Sequence, residues 1–190
     1  MEKEKKKQLI RTAAKRFEKH GIKKTTLDEI ARDLRITKAT IYHYFNSKED
    51  LFHSTLEWES AQFLEELNNI VSIEGLTTID FIKKYLELKE SLDQKYVLIY
   101  RVVLSILKEE NFEKEETFIN DLLKREEETL LKLIVKINGN KKSLPESFSG
   151  FLVKQTWGCL LTDKLYSNLK TEESIKKKEM FLQLIESKLV

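Results

Sequence analysis

Residues 35–48, R-I-T-K-A-T-I-Y-H-Y-F-N-S-K, gather the side chains with the clearest chemistry in this chain. Lys38 stands at a helix start, where an ammonium can reach a base edge or a phosphate oxygen. Thr37, Thr40, Tyr42 and Tyr44 carry hydroxyls that can bond phosphate oxygens, and Ala39 is small enough to let a helix approach a surface closely. His43 shares the outward side with Lys38 and Tyr42, and Arg35 adds a cation in the turn before them. Thr26 and Lys48 sit at the starts of the flanking helices, where free backbone N–H groups favour an anion. For Tyr42 and Tyr44, ordinary packing is the alternative reading. The set suits contact with a polyanion, not bond-making.

Catalytic and metal chemistry find no support in the residue pattern. The three His residues stand at 20, 43 and 53, and His43 has no second ligand at i±3 or i±4. There is no H-E-x-x-H, Gly-rich phosphate loop or nucleophile elbow. Cys159 is the only cysteine, which excludes a disulfide framework and a Cys-rich metal site. Its apolar neighbours point to an inert buried thiol, with redox sensing as the alternative. The expectation is a protein that is not an enzyme and has no resident cofactor or metal.

A second set lies further along. Residues 96–107, YVLIYRVVLSIL, are apolar all round except for Arg101 and Ser105, and such a helix belongs inside a helical domain. A buried guanidinium needs a partner. An internal carboxylate, a head reaching the surface, and the acidic group of a ligand are all open to Arg101. With Tyr96 and Tyr100, Trp58 and Trp157 can line an apolar cavity for a small apolar or amphipathic effector, or simply fill the core.

The elements that must position these residues are helices. Average usage would give about 13 Gly and about 10 Pro in a chain of this length, against 5 Gly and 1 Pro here. Sheet folds, which need frequent turns, are thereby disfavoured. Ile10, Ala13, Ala14 and Phe17 fall on one helical face, and Gly21 follows where a left-handed residue would end that helix. Thr26-Leu-Asp-Glu29 is a capping box for a second helix to about Leu34. Thr37 caps a third, from Lys38 to Phe45, with Ile41 and Phe45 facing inward. Ser47 caps a fourth, long helix with Glu49 and Asp50 in its first turn. Helices are expected beyond it over about Thr77–Leu92, Lys95–Lys108, Thr117–Ile137, Ser147–Leu169 and from Thr171 onward. With no flexible linker in the pattern, residues 1–47 and 48–190 read as two domains joined by continuous helix.

Charge divides the chain at the same place. The first fifty residues hold 14 Lys/Arg against 8 Asp/Glu, and the remainder 20 against 24. A basic head on a slightly acidic body points to a polyanionic partner for the head alone. No apolar run approaches the ~18 residues of a membrane span, and the first ten residues have no apolar leader core. A cytoplasmic protein without membrane contact is the expectation.

The run LIRTAAKRFEKHGIKKTTLDEIARDLRITKATIYHYFNSKEDLF resembles the N-terminal domain of TetR-type transcriptional repressors. The residues that carry it are Ala14 and Phe17, Gly21, Thr25-Thr26, Ile30-Ala31, Tyr42 and Phe45, and Ser47-Lys48-Glu49. It covers roughly residues 9–52. Arg35 departs from the Gly often found in the family's turn, and Ala39 from the Gly often found before the recognition-helix Thr. The resemblance implies an all-α protein with a three-helix, helix-turn-helix head and a larger helical body that binds a ligand and dimerises. It implies DNA-backbone contacts from Thr26, Thr37, Lys38, Tyr42, Tyr44 and Lys48. Lys38, Ala39, Thr40 and His43 would then lie nearest the bases. It further implies a homodimer formed through the last two helices, binding a palindromic double-stranded DNA operator and released by a small-molecule effector. An activator, or an effector-independent architectural DNA-binding factor, is the alternative. Gly150, Gly158, Cys159 and Thr162 are the small residues expected to let helices approach in the dimer.

Overall fold

The computed structural model describes residues 2–106, 113–138, 147–165, 179–180 and 182–183. Among them the only regular elements are helices: α1 (Glu2–Lys24), α2 (Leu27–Leu34), α3 (Lys38–Tyr44), α4 (Lys48–Val71), α5 (Thr78–Glu90), α6 (Leu92–Lys95), α7 (Val97–Ile106), α8 (Glu113–Asn138) and α9 (Ser147–Leu165). The helix expected from Thr171 lies almost wholly outside the described residues.

The head forms as its caps dictate. Thr26 Oγ1 accepts from the Glu29 N–H while the Glu29 carboxylate accepts from the Thr26 N–H, closing the capping box. Those bonds favour the ionised carboxylate and hold Glu29 below its ordinary pKa. Thr37 and Ser47 cap α3 and α4 through the N–H groups of Thr40 and Asp50. Within the last part of α1, Gly21 has φ 77° and ψ 162°, a conformation essentially reserved for glycine, so the helix kinks there. Leu9, Ala13, Ala14, Phe17, Ile30, Ile41 and Phe45 close the small core of the head. Leu9, not Ile10, fills the first inward position of α1, and Ile10 is half-buried.

From that core α4 runs on into the body, burying Leu56, Phe63 and Leu67. Around it pack α5, whose Phe81, Tyr85 and Leu88 are buried, then α7 and α8, with α9 against α8 and α5. Thr77 caps α5, its hydroxyl accepting from the Asp80 N–H. α8 begins four residues before the expected start, because Glu113, Glu115 and Glu116 occupy a first turn where the helix dipole favours acids. The helix expected from Lys95 begins only at Val97 as α7, after a break at Tyr96 (φ −124°, ψ 54°) that ends the short, unexpected α6.

Arg101 takes the surface alternative: the residue is exposed, and its guanidinium donates to the Phe17 carbonyl at 3.3 Å. The expectation of a buried Cys159 is corrected. Cys159 is likewise exposed, because α9 turns Ser149, Leu152, Val153, Thr156 and Trp157 inward and leaves Phe151, Gly158, Cys159 and Thr162 outward. The small residues of α9 therefore separate into two groups. Gly150 packs against α8 of the same chain, where an added Cβ would lie 2.6 Å from Glu127 Oε1, whereas Gly158 faces open space.

Candidate nucleic-acid interface

The turn between α2 and α3 sets the geometry of this surface. The Arg35 N–H donates to the Arg32 carbonyl at 3.1 Å and the Ile36 N–H to the Ala31 carbonyl at 3.0 Å. This is the paired pattern of a Schellman stop, with Arg35 in the left-handed conformation (φ 53°, ψ 40°) that glycine ordinarily supplies. Arg35 is the only non-glycine residue with positive φ among those described. It is exposed.

From there α3 is held by one face. Ile41 is fully buried and Phe45 nearly so, while Tyr42, one residue from Ile41, is 51% exposed. Lys38, Ala39 and His43 are exposed with Tyr42, and Thr40 is half-buried. Tyr44 is half-buried against the core and makes an edge contact with the His43 ring, centroids 5.0 Å apart. Thr26, Lys38, Tyr42 and Lys48 line one shallow groove of about 400 Å³ together with Lys23 and Asn46. The structure thus brings four of the sequence-selected residues into one groove, with Arg35, Thr37, Ala39, Thr40, His43 and Tyr44 outside its walls.

Internal contacts hold several of these side chains in the free protein. Lys38 Nζ donates to Asp28 Oδ2 at 2.9 Å, which favours the ammonium and raises its pKa. Both groups are exposed, so water screens the pair and a phosphate can compete for Lys38. Thr37 and Thr40 bond through their hydroxyls at 3.0 Å, and His43 Nε2 lies 3.4 Å from Glu2 Oε1. Lys48 points back into the protein. Its ammonium donates to the carbonyls of Ile22 at 2.9 Å and Thr25 at 3.3 Å, tying the start of α4 to the α1–α2 corner.

A structure of this kind places a short helix, polar outward and apolar inward, on a basic head. The family described as bacterial regulatory proteins of the tetR family matches residues 9–55. Over 60 residues the chain is 40% identical to the probable acrEF/envCD operon repressor of Escherichia coli K12, a stretch covering 32% of this chain and 26% of that protein. Residues 9–55 thus resemble the N-terminal head of tetR-family regulatory proteins. Among solved structures, a transcriptional regulator of Cytophaga hutchinsonii superposes with a TM-score of 0.71 at 24% identity, covering 93% of this chain and 96% of that one. The regulator FadR of Bacillus subtilis, solved with stearoyl-CoA, gives 0.62 at 19% identity, covering 96% and 94%. At these identities the agreement is one of fold. The chain spans about a quarter to a half of the length of the curated relatives it matches. Those relatives are named as transcriptional regulators or repressors, not enzymes.

Behind this head, the residues selected for a ligand pocket do not converge. Tyr96 donates to Glu66 Oε2 at 2.6 Å, and burial together with that carboxylate pushes its phenol pKa up. Tyr100 is buried on α7, and Trp58 is half-buried. Trp157 Nε1 donates to Glu126 Oε2 at 2.9 Å. Arg101 alone of the five lines the cleft between head and body.

The residue pattern did not single out what surrounds Trp157. Lys89 and Glu126, both fully enclosed, form an ion pair at 2.9 Å; Tyr85 donates to the same carboxylate at 2.7 Å and lies 3.1 Å from Thr156 Oγ1. Lys89 Nζ also sits 3.6 Å from the Trp157 ring centroid. Burial lowers the Lys89 pKa to about 8 against the opposing pull of Glu126. A signal for this network was present, since Lys89 continues the Phe81-Tyr85-Leu88 stripe and Glu126 continues the Ile119-Leu122 stripe. A charge on an apolar stripe asks for a buried partner. Glu59 was missed as well. Its carboxylate accepts from the N–H groups of Leu98 (3.2 Å) and Ile99 (2.7 Å) at the start of α7, and burial pushes its pKa up to about 7.

Proposed function

We propose that this chain is a homodimeric, one-component transcriptional repressor. The head of residues 1–47 reads a palindromic operator, and the body of residues 48–190 dimerises and answers a small apolar or amphipathic effector. The observation that carries the DNA reading is the two-sidedness of α3. Ile41 and Phe45 anchor it, while Lys38, Tyr42 and His43 face solvent on a basic head. Lys38, Ala39, Thr40 and His43 lie nearest the bases; Thr26, Arg35, Thr37, Tyr42 and Tyr44 serve the backbone. Lys48 acts by holding the α1–α2 corner, and through it Thr26, against the groove.

Two heads must be spaced about 34 Å apart to read successive major grooves. The outward face of α9, with Phe151 47% exposed beside Gly158, Cys159 and Thr162, supports pairing of two bodies there. The stearoyl-CoA bound by the FadR neighbour supports an amphipathic effector. An effector-independent DNA-binding factor is the second reading, and the occupied interior around Lys89, Glu126 and Trp157 favours it. No helix among the described residues is long and apolar enough to cross a membrane, which accords with a cytoplasmic regulator.

Salt dependence of binding to duplex DNA tests the DNA reading. Log K should fall linearly with log[salt] at about −0.9 per phosphate neutralised. A nearly flat dependence would instead mark the head as a protein-interaction surface.

A further inference from the structure

One well-defined opening on the described surface lies outside the body's interior. It is a cleft of about 860 Å³ whose walls come from both domains: Phe17 and Ile22 from the head, Phe52 from α4, and Leu98, Arg101 and Val102 from α7. That volume lies within the range of small-molecule sites. The walls are mostly apolar. On α7, Leu98, Arg101, Val102 and Ser105 recur at i, i+3, i+4 and i+7, so one guanidinium stands in an apolar strip facing the cleft.

Charge complementarity narrows the occupant. Arg101 donates to the Phe17 carbonyl at 3.3 Å and makes no ion pair with a described residue, leaving most of its five N–H donors for another acceptor. Lys24, Lys48 and Lys114 also line the opening. The acids there are Glu49, Glu113 and Glu115, and Glu115 lies 3.6 Å from His53 Nε2. Glu49, Glu113 and Arg101 are all exposed, but Arg101 stands between the apolar Leu98 and Val102, which are buried.

We propose that the cleft between head and body is a binding site for an amphipathic monoanion. An aliphatic carboxylate would lay its chain along Phe17, Phe52, Leu98 and Val102, with its carboxylate on Arg101. The site includes α1, so the ligand touches the DNA-binding head directly. Capture of the guanidinium by a carboxylate withdraws the bond that α7 gives to Phe17 and separates α7 from the end of α1. Lys48 couples that end, through Ile22 and Thr25, to the corner that carries Thr26. Occupancy therefore shifts the head, and DNA weakens the ligand by the same factor that the ligand weakens DNA.

The effect on DNA rests on the repressor reading, whereas the site itself does not, so the test reads them separately. Decanoate is titrated into the full chain by calorimetry without DNA, beside decyltrimethylammonium and decanol. Arg101→Ala and Ser105→Trp are compared with the wild type, with helicity checked by circular dichroism. The expected result is one decanoate per protomer, weakened about tenfold or more by Arg101→Ala and abolished by Ser105→Trp, with the cation bound far more weakly. Decanoate binding unchanged in both variants, absent from the wild type, or matched by decyltrimethylammonium would overturn the site. Binding in the cleft with no loss of DNA affinity would support the site and overturn the effector reading instead.

Discussion

Replacing Arg35 with glycine separates a folding cost from a binding gain at one position. In the left-handed conformation a side chain costs roughly 1–2 kcal/mol. Glycine removes that strain and enlarges the unfolded ensemble, which returns about 0.4–1 kcal/mol. The net expectation is a gain of about 0.5–1 kcal/mol, and for a chain of this size a Tm higher by about 1–4 °C. The two bonds of the turn, Arg35 N–H to Arg32 and Ile36 N–H to Ala31, remain available. The same substitution takes away an exposed cation next to α3. If Arg35 meets one phosphate per protomer, the slope of log K against log[salt] becomes shallower by about 0.9 for each phosphate no longer neutralised. Arg35→Ala is the control, because it keeps a Cβ in the strained conformation while losing the charge. Thermal unfolding and DNA titrations at four salt concentrations read both quantities. A Tm for Arg35→Gly no higher than that of Arg35→Ala would refute the strain argument. An unchanged salt slope in both variants would remove Arg35 from the DNA surface.

Three further outcomes follow from the body and the junction. Glu126→Leu leaves the Lys89 ammonium enclosed without its carboxylate and should cost about 3–5 kcal/mol in denaturant unfolding, with Lys89→Met/Glu126→Met recovering much of it; a loss under about 1 kcal/mol would contradict the buried pair. Glu59 holds its proton to about pH 7 when folded and to about 4.5 when unfolded, so the folded chain binds more protons between these values. Stability should therefore fall as pH rises through that window, by up to about 1.4 kcal/mol per unit, and Glu59→Gln should flatten the profile. Lys48→Met removes two charge-assisted bonds to backbone carbonyls, worth about 1.5–3 kcal/mol each at most. It should lower Tm and DNA affinity together while leaving the salt slope nearly unchanged, and a slope shallower by about 0.9 would make Lys48 a phosphate contact.

The head was legible because its signals are local. Thr26 with Glu29, Thr37 and Ser47 mark helix starts through bonds three residues long, and the spacing of Ile41 and Phe45 decides which face of α3 is free. Gly21 marks a backbone conformation that other residues avoid. The body was less legible because its decisive contacts join distant elements. Lys89 meets Glu126 across 37 positions, and Glu59 reaches the start of α7 across 39. Such pairings depend on how helices are rotated and offset, which no single helix specifies. The break at Tyr96 carries neither Gly nor Pro, so tertiary packing, not propensity, divides α6 from α7. Arg101 was ambiguous for a related reason. Apolar neighbours on every side placed its helix inside the domain, but the side carrying Arg101 faces the cleft below the head.

Genome-fragment selection with the purified chain, followed by a footprint on the recovered DNA, tests the central claim most directly. The expected result is an enriched palindrome with two protected half-sites about one helical turn apart, each lost when Lys38 and Tyr42 are replaced together by alanine. Failure to enrich any sequence at low salt, or protection that survives the Lys38/Tyr42 double replacement, would contradict it.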